Sequence, residues 1–199
     1  MIFCQQLLRT MISRATWQIR ERNSFLIPLL RLTLVLMLSL VVGQSMAAPL
    51  TETDKSVRSI VSGIVSYTQW PSLTKPPKLC VYASSRYTSA LSAVDEQNSS
   101  LPYIPEIVHT DQETLSATCD GIYFGAESPA KQLELINKYQ GRALLLISEQ
   151  NAECVIGSAF CLIINDSKVR FSVNLDALSR SGVRVNPDVL MLARTQKHE

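Results

Sequence analysis

Four cysteines, Cys80, Cys119, Cys154 and Cys161, lie in the chain beyond residue 47, and in a domain of this size they constrain the fold more than any other feature. Four thiols allow three pairings. Cys154 and Cys161 flank only Val-Ile-Gly-Ser-Ala-Phe, a span that a local bridge closes into a loop or irregular hairpin. Cys80 sits in the apolar run Leu79–Ala83, and Cys119 just precedes another, Ile122–Phe124. The expected pairing is therefore Cys80–Cys119 and Cys154–Cys161. Chain entropy assigns about 4 kcal/mol to the longer loop and about 2.5 kcal/mol to the shorter. On that scale the long bridge is structural, while the short one breaks with little loss of fold. A metal centre is the competing use of four cysteines. Zinc sites favour close C-x2-C pairs or supporting histidines, whereas the spacings here are 39, 35 and 7, with only His109 and His198 to help. No metal and no cofactor are expected. His109 reads as a strand-end residue and His198, beside the terminus, as a solvated one.

Disulfides persist in oxidising compartments, and the N-terminus supplies a route to one. Arg9, Arg14, Arg20, Arg22 and Arg31 stand against a single acid, Glu21. The apolar run Leu32–Val42 and the small-residue stretch Ser45-Met46-Ala47-Ala48-Pro49 follow. That is the order of a secretory signal peptide. Cleavage after Ala47 is expected, which makes residues 1–47 the leader and 48–199 an exported domain. Met11 is an equally good start, in which case Cys4 is never translated. The rival is an uncleaved anchor, because Phe25–Val42 approaches the ~18 residues of a spanning helix. Pro28 and Arg31 interrupt that run. No Arg-Arg pair precedes it, which argues against a twin-arginine signal.

Removing the leader changes the charge. The whole chain has 19 basic and 17 acidic residues; residues 48–199 have 14 and 16, a net charge near −2. With no basic run left, nucleic acid is not an expected partner. The 152 residues suffice for one sizeable core and not for two.

Val57, Ile60, Val61, Ile64 and Val65 recur with helical spacing after capping candidates Thr51 and Thr53, and the helix should stop near Trp70-Pro71. Leu79–Ala83 reads as a buried strand and Tyr87–Val94 as a helix. Tyr103–Val108 follows as a strand that Pro105 consigns to an edge, and Ile122–Phe124 as another strand. Ser128 as N-cap, Pro129 and Gly141 frame a helix with inner face Ala130, Leu133, Ile136 and Tyr139. Ala143–Ser148 is continuous and apolar, hence central. Phe160–Asn165 and Lys168–Asn174 make a β-hairpin around Asp166-Ser167, with Val169, Phe171 and Val173 facing inward. A short helix, Leu175–Arg180, ends at Gly182, and Val183–Val185 and Val189–Ala193 complete the chain. The fold class expected is α/β: a single compact domain, a mixed sheet flanked by helices, with two disulfides.

Catalytic motifs are absent: G-x-G-x-x-G, G-x4-G-K-[ST], G-x-S-x-G and H-E-x-x-H do not occur. Asp95-Glu96 lies beside a polar loop, where solvated charge is the default. Two sequons, at Asn98 and Asn165, carry no weight. The chain is not expected to be an enzyme.

Several segments carry a family resemblance. They are the first helix ending in Tyr67-Thr68-Gln69-Trp70-Pro71, the strand Leu79-Cys80-Val81, and Cys119-Asp120-Gly121-Ile122-Tyr123. Arg142 through Ser148, Val169 through Leu175, and Leu190-Met191-Leu192-Ala193 complete the set. Together they resemble the YfiR family over essentially the whole of 48–199. The resemblance implies a non-enzymatic, dimeric periplasmic repressor. Its partner is the periplasmic PAS-like sensor region of an inner-membrane diguanylate cyclase, YfiN, whose cyclic di-GMP output it lowers, with consequences for biofilm and motility. An OmpA-like outer-membrane lipoprotein, YfiB, or disturbance of the disulfides, relieves the repression. Ser172 stands where the pattern has an acidic residue, and Asn186-Pro187 where it has a small polar pair.

The candidate partner surface is C-terminal: Leu175 and Leu178 as an apolar patch, Arg180 and Arg184 as carboxylate- or phosphate-binding groups. Trp70 has two readings, a partner anchor or a helix-end cap on the core. A periplasmic small-ligand-binding module is the alternative function.

Overall fold

Helix α1 (Glu52–Ser66) begins where the sequence carries a capping box. The Thr51 hydroxyl accepts from the Asp54 N–H, and the Asp54 carboxylate accepts from the Thr51 N–H. Its buried face is Val57, Ile60, Val61, Ile64 and Val65, the stripe visible in the sequence. The structure is a computed structural model and describes residues 49–93, 101–139, 141–165 and 168–191. The leader with its Met11 start, the Asp95-Glu96 pair, the Asn98 sequon, the Asp166-Ser167 turn and His198 lie outside those residues.

After α1 come strand β1 (Thr68–Gln69), strand β2 (Lys78–Tyr82), helix α2 (Thr88–Ser92) and strand β3 (Ile104–Val108). Helix α3 (Asp111–Ala117), strand β4 (Gly121–Phe124), helix α4 (Pro129–Lys138) and strand β5 (Leu145–Ser148) follow. The chain closes with strand β6 (Phe160–Asn165), strand β7 (Lys168–Val173), helix α5 (Leu175–Arg180) and strand β8 (Arg184–Val185). One six-stranded sheet has the order β3-β2-β4-β5-β6-β7. Its first five strands are parallel, and β7 pairs antiparallel to β6 in the expected hairpin, with Leu162 opposite Phe171. The mixed α/β architecture and both disulfides, Cys80–Cys119 and Cys154–Cys161, match the reading of the sequence. The sulfurs of Cys80, Cys119, Cys154 and Cys161 are thus all taken up in the two bridges.

The sheet is covered on both faces. Alternate residues of β2, β4, β5 and β6 (Leu79, Val81, Tyr123, Leu145, Ile147, Phe160, Leu162) pack with α1, Leu91, Ala177 and the inward side of β7. The intervening residues, Cys80, Tyr82, Ile122, Phe124 and Leu146, pack with Leu135 and Tyr139 on the other face, flanked by Leu115 and Ile136. The Cys80–Cys119 bridge is wholly buried in that second layer.

Three features differ from the sequence reading. Helix α3 is absent from it, because only Thr114 of its seven residues is buried; its signal is the Thr110 N-cap and not an apolar stripe. Strands β1 and β8 pair antiparallel, Thr68 with Val185, joining a segment read as a helix stop to the chain's end. Helix α4 starts at Ser128 and Pro129 as expected, but its inner face is rotated. Gln132, Leu135 and Tyr139 are buried, while Ala130 is exposed and Leu133 stands 41% exposed.

The rotation has a polar cause. The Gln132 side chain is fully buried, with Nε2 donating to the Glu127 carbonyl at 2.9 Å. Its Oε1 accepts from the Ser158 N–H at 3.1 Å and the Ser158 hydroxyl at 2.8 Å. A buried amide is acceptable only when both ends are paired. These partners turn Gln132 inward at the expense of Leu133.

Candidate functional site

The loop between β5 and β6 carries the short bridge and is fixed along Cys154–Ser158. Cys154 adopts a left-handed conformation (φ 52°) and so does Gly157 (φ 87°). A Cβ on Gly157 would lie 2.5 Å from Gln132 Oε1. Asn151 Nδ2 donates to the Ile156 carbonyl at 2.7 Å, and its Oδ1 accepts from the Cys154 N–H. Asn174, the N-cap of α5, accepts from the Ala177 N–H through Oδ1, and its Nδ2 donates to the Val155 carbonyl at 2.8 Å. Three amide side chains and a disulfide thus hold the loop against α4 on one side and α5 on the other.

What that scaffold displays is apolar. Val155 is 66% exposed, Ile156 50%, and Leu175, next to the Asn174 that binds Val155, 75%. Such aliphatic groups left in water forgo about 25 cal/mol for each Å² that a partner would cover. Exposed aliphatic side chains on a loop and a helix start that are bonded to each other are candidates for an interaction site.

Beside the patch runs a groove of about 480 Å³ between α4, the bridged loop and α5. Leu133, Ile136, Leu144, Leu146 and Ile156 line it, together with Arg142 and Arg180. Arg180 is ion-paired to Asp176 one turn earlier on α5. Arg142 donates to the Thr118 carbonyl at 3.4 Å and lies 3.8 Å from the Asp120 carboxylate. Leu133 and Ile136 of α4 border it.

The residues singled out in the sequence distribute unevenly. Leu175 and Arg180 are exposed on α5, Arg180 on the groove. Leu178 is half-buried and packs on the core beneath the helix. Arg184 is exposed on β8, opposite Gln69, outside the residues that line the groove. Trp70 packs against the core, and its indole N–H donates to the Asp120 carbonyl at 2.8 Å. Ser172, half-buried on β7, faces Cys161 across the hairpin. Sequence reasoning missed Val155, Ile156 and Leu133. The first two had a signal, an aliphatic pair inside a short Cys-to-Cys loop; Leu133 had none, its exposure being decided by Gln132.

Among the described residues no group of three or more His, Cys, Asp or Glu side chains is arranged to hold a metal ion, and no helix is long and apolar enough to cross a membrane. The model of the YfiR/HmsC-like family matches residues 54–194, more than two thirds of the chain, from α1 to just beyond the last described residue.

Proposed function

The chain belongs to the YfiR/HmsC-like family, and from that premise we propose that it is a negative regulator that binds the periplasmic sensor region of an inner-membrane diguanylate cyclase and lowers its output. The family is one of periplasmic regulators of cyclic di-GMP signalling and not of catalysts. The observation that carries the finer reading is the rigid apolar display of Val155, Ile156 and Leu175 with Arg180 at its border. A regulator that inhibits by holding a partner needs such a preorganised surface, because ordering a loop on binding subtracts from affinity. Leu175 and Arg180 contact the cyclase sensor directly. Leu178, packed on the core, supports the surface, and Trp70 and Arg184 are its further contacts with the partner. An OmpA-like outer-membrane lipoprotein competes for the regulator and relieves inhibition, and the working form is a homodimer.

The test is cellular cyclic di-GMP in a deletion strain. Deletion raises the level, the intact gene restores it, and Leu175→Asp or the Arg180→Glu/Arg184→Glu double variant, though exported and folded, does not. Unchanged cyclic di-GMP on deletion overturns the cyclase reading, and full restoration by both variants moves the interface elsewhere.

The groove favours a second reading, a small-ligand-binding module. Its apolar lining with two guanidinium groups suits an amphipathic anion. Titration of the purified domain with amino acids and aromatic acids, giving saturable heat that Arg142→Ala abolishes, is the result expected of that alternative.

A further inference from the structure

The five parallel strands, taken in chain order, are arranged 2-1-3-4-5, that of a doubly wound sheet whose connections diverge between β2 and β4. Sheets of this kind bind ligands in the crevice beyond the carboxyl ends of the strands at that divergence. In this chain the crevice is already occupied. Glu149, the first residue after β5, is 8% exposed, and its Oε2 accepts from the Ser85 hydroxyl at 2.8 Å and the Tyr123 hydroxyl at 3.1 Å. Its Oε1 accepts from the Arg86 N–H at 3.1 Å. Ser85 Oγ also accepts from the Tyr87 N–H, which fixes the hydroxyl that donates to the carboxylate. Ser85 and Tyr123 are buried, and burial, then the Glu149 charge, holds the Tyr123 phenol above its ordinary range, as a donor.

We propose that this crevice is a carboxylate-binding site whose ligand is the chain's own Glu149, and that it accepts a free short-chain carboxylate when that side chain is removed. Three converging donors match the two oxygens of one carboxylate, and one of them, the Ser85 hydroxyl, is also held by the Tyr87 N–H. The site is small. A Cβ on Gly125, at the end of β4, would fall 2.3 Å from the Ser85 nitrogen, so the two strand ends close over it. Beyond it, Glu127 accepts from the Ser84 hydroxyl and the Gly125 N–H and bounds the crevice with a second negative charge. The acid expected there is one no larger than the fragment removed, acetate and not a bulky acid. The inference is independent of the regulatory reading, because it concerns what holds the start of the bridged loop to the β2–α2 turn.

The experiment is chemical rescue of the full exported domain carrying Glu149→Ala, which deletes the CH2–COO⁻ fragment that acetate replaces. The variant melts roughly 6 °C or more below the parent, the shift expected for orphaning several buried donors in a domain of this length. Sodium acetate restores at least half of that loss with a saturable dose dependence. Sodium chloride at equal ionic strength, acetamide and benzoate do not, and acetate leaves Glu149→Gln, whose crevice is filled, unmoved. If the alanine variant does not fold in chloride, refolding yield replaces melting temperature: recovery in acetate alone is expected. An unchanged melting temperature on Glu149→Ala, or acetate acting no better than chloride on either readout, overturns the proposal.

Discussion

Gln132 shows how one polar side chain directs the surface around it. Its three hydrogen bonds turn α4 so that Leu133 meets water, and the same bonds anchor Ser158 in the bridged loop. Gln132→Leu keeps volume but leaves the Ser158 N–H, its hydroxyl and the Glu127 carbonyl without partners. Burying such orphans costs about 1–3 kcal/mol each before relaxation, so a net loss of roughly 2–4 kcal/mol is expected from urea unfolding. Leu133→Gln, a change of the same size on the exposed face, is expected to stay within ~0.5 kcal/mol. The apolar spacing of α4 alone predicts the reverse order for these two variants. Hydrophobic periodicity misplaced this face because it has no means of recognising a glutamine that is fully satisfied in the core.

At the level of elements, the pieces legible in the sequence are those whose burial is apolar and periodic. Helix α1, capped by the first of its two candidates, Thr51, the central strands β4 and β5, and the β6–β7 pair fall where the hydrophobic pattern puts them. Helix α3 escaped because a polar cap and tertiary bonds hold it, not a stripe. Asp111 in its first turn accepts from the Tyr82 hydroxyl at 2.9 Å and is ion-paired with Lys131 of α4 at 2.9 Å. Lys131 first, and then the Tyr82 hydroxyl, hold the Asp111 carboxyl below its ordinary range. A carboxyl whose value is depressed on folding favours the native state only where it is ionised. The contribution is therefore complete above the unfolded value of about 3.9 and is lost as pH falls through the folded one. Asp111→Asn is accordingly expected to unfold more easily than the parent at pH 7. The gap between the two narrows below about pH 4, and the curves converge in stronger acid. A gap that stays constant down to pH 2, followed by denaturant unfolding, is the outcome that removes this ion pair from the account.

Across the whole molecule, scaffold and display are separated, and each has its own disulfide. The edges of the sheet are guarded, β3 by Pro105, which lacks an N–H, and Glu106, and β7 by the exposed Lys168 and Arg170. This leaves the helical and loop surfaces for association. The Cys80–Cys119 bridge spans 39 positions and lies wholly inside the layer beneath α3 and α4. The Cys154–Cys161 bridge spans 7 and closes the loop that presents Val155 and Ile156. Loop-closure entropy makes the first worth about 4 kcal/mol and the second about 2.5 kcal/mol. The short loop, however, is also held by Asn151, Asn174 and Gln132, so part of its order survives loss of the bridge. Replacing both cysteines of the long bridge by alanine is thus expected to lower unfolding free energy by about 3–5 kcal/mol while leaving the apolar patch intact in the molecules that remain folded. Replacing both cysteines of the short bridge is expected to cost about 1–3 kcal/mol but to loosen the patch. Amide hydrogen exchange separates the two cases: protection falls throughout the sheet in the first variant and chiefly in residues 151–158 in the second. Uniform loss in both would mean that the loop and the sheet open as one unit, and that the short bridge is as structural as the long one.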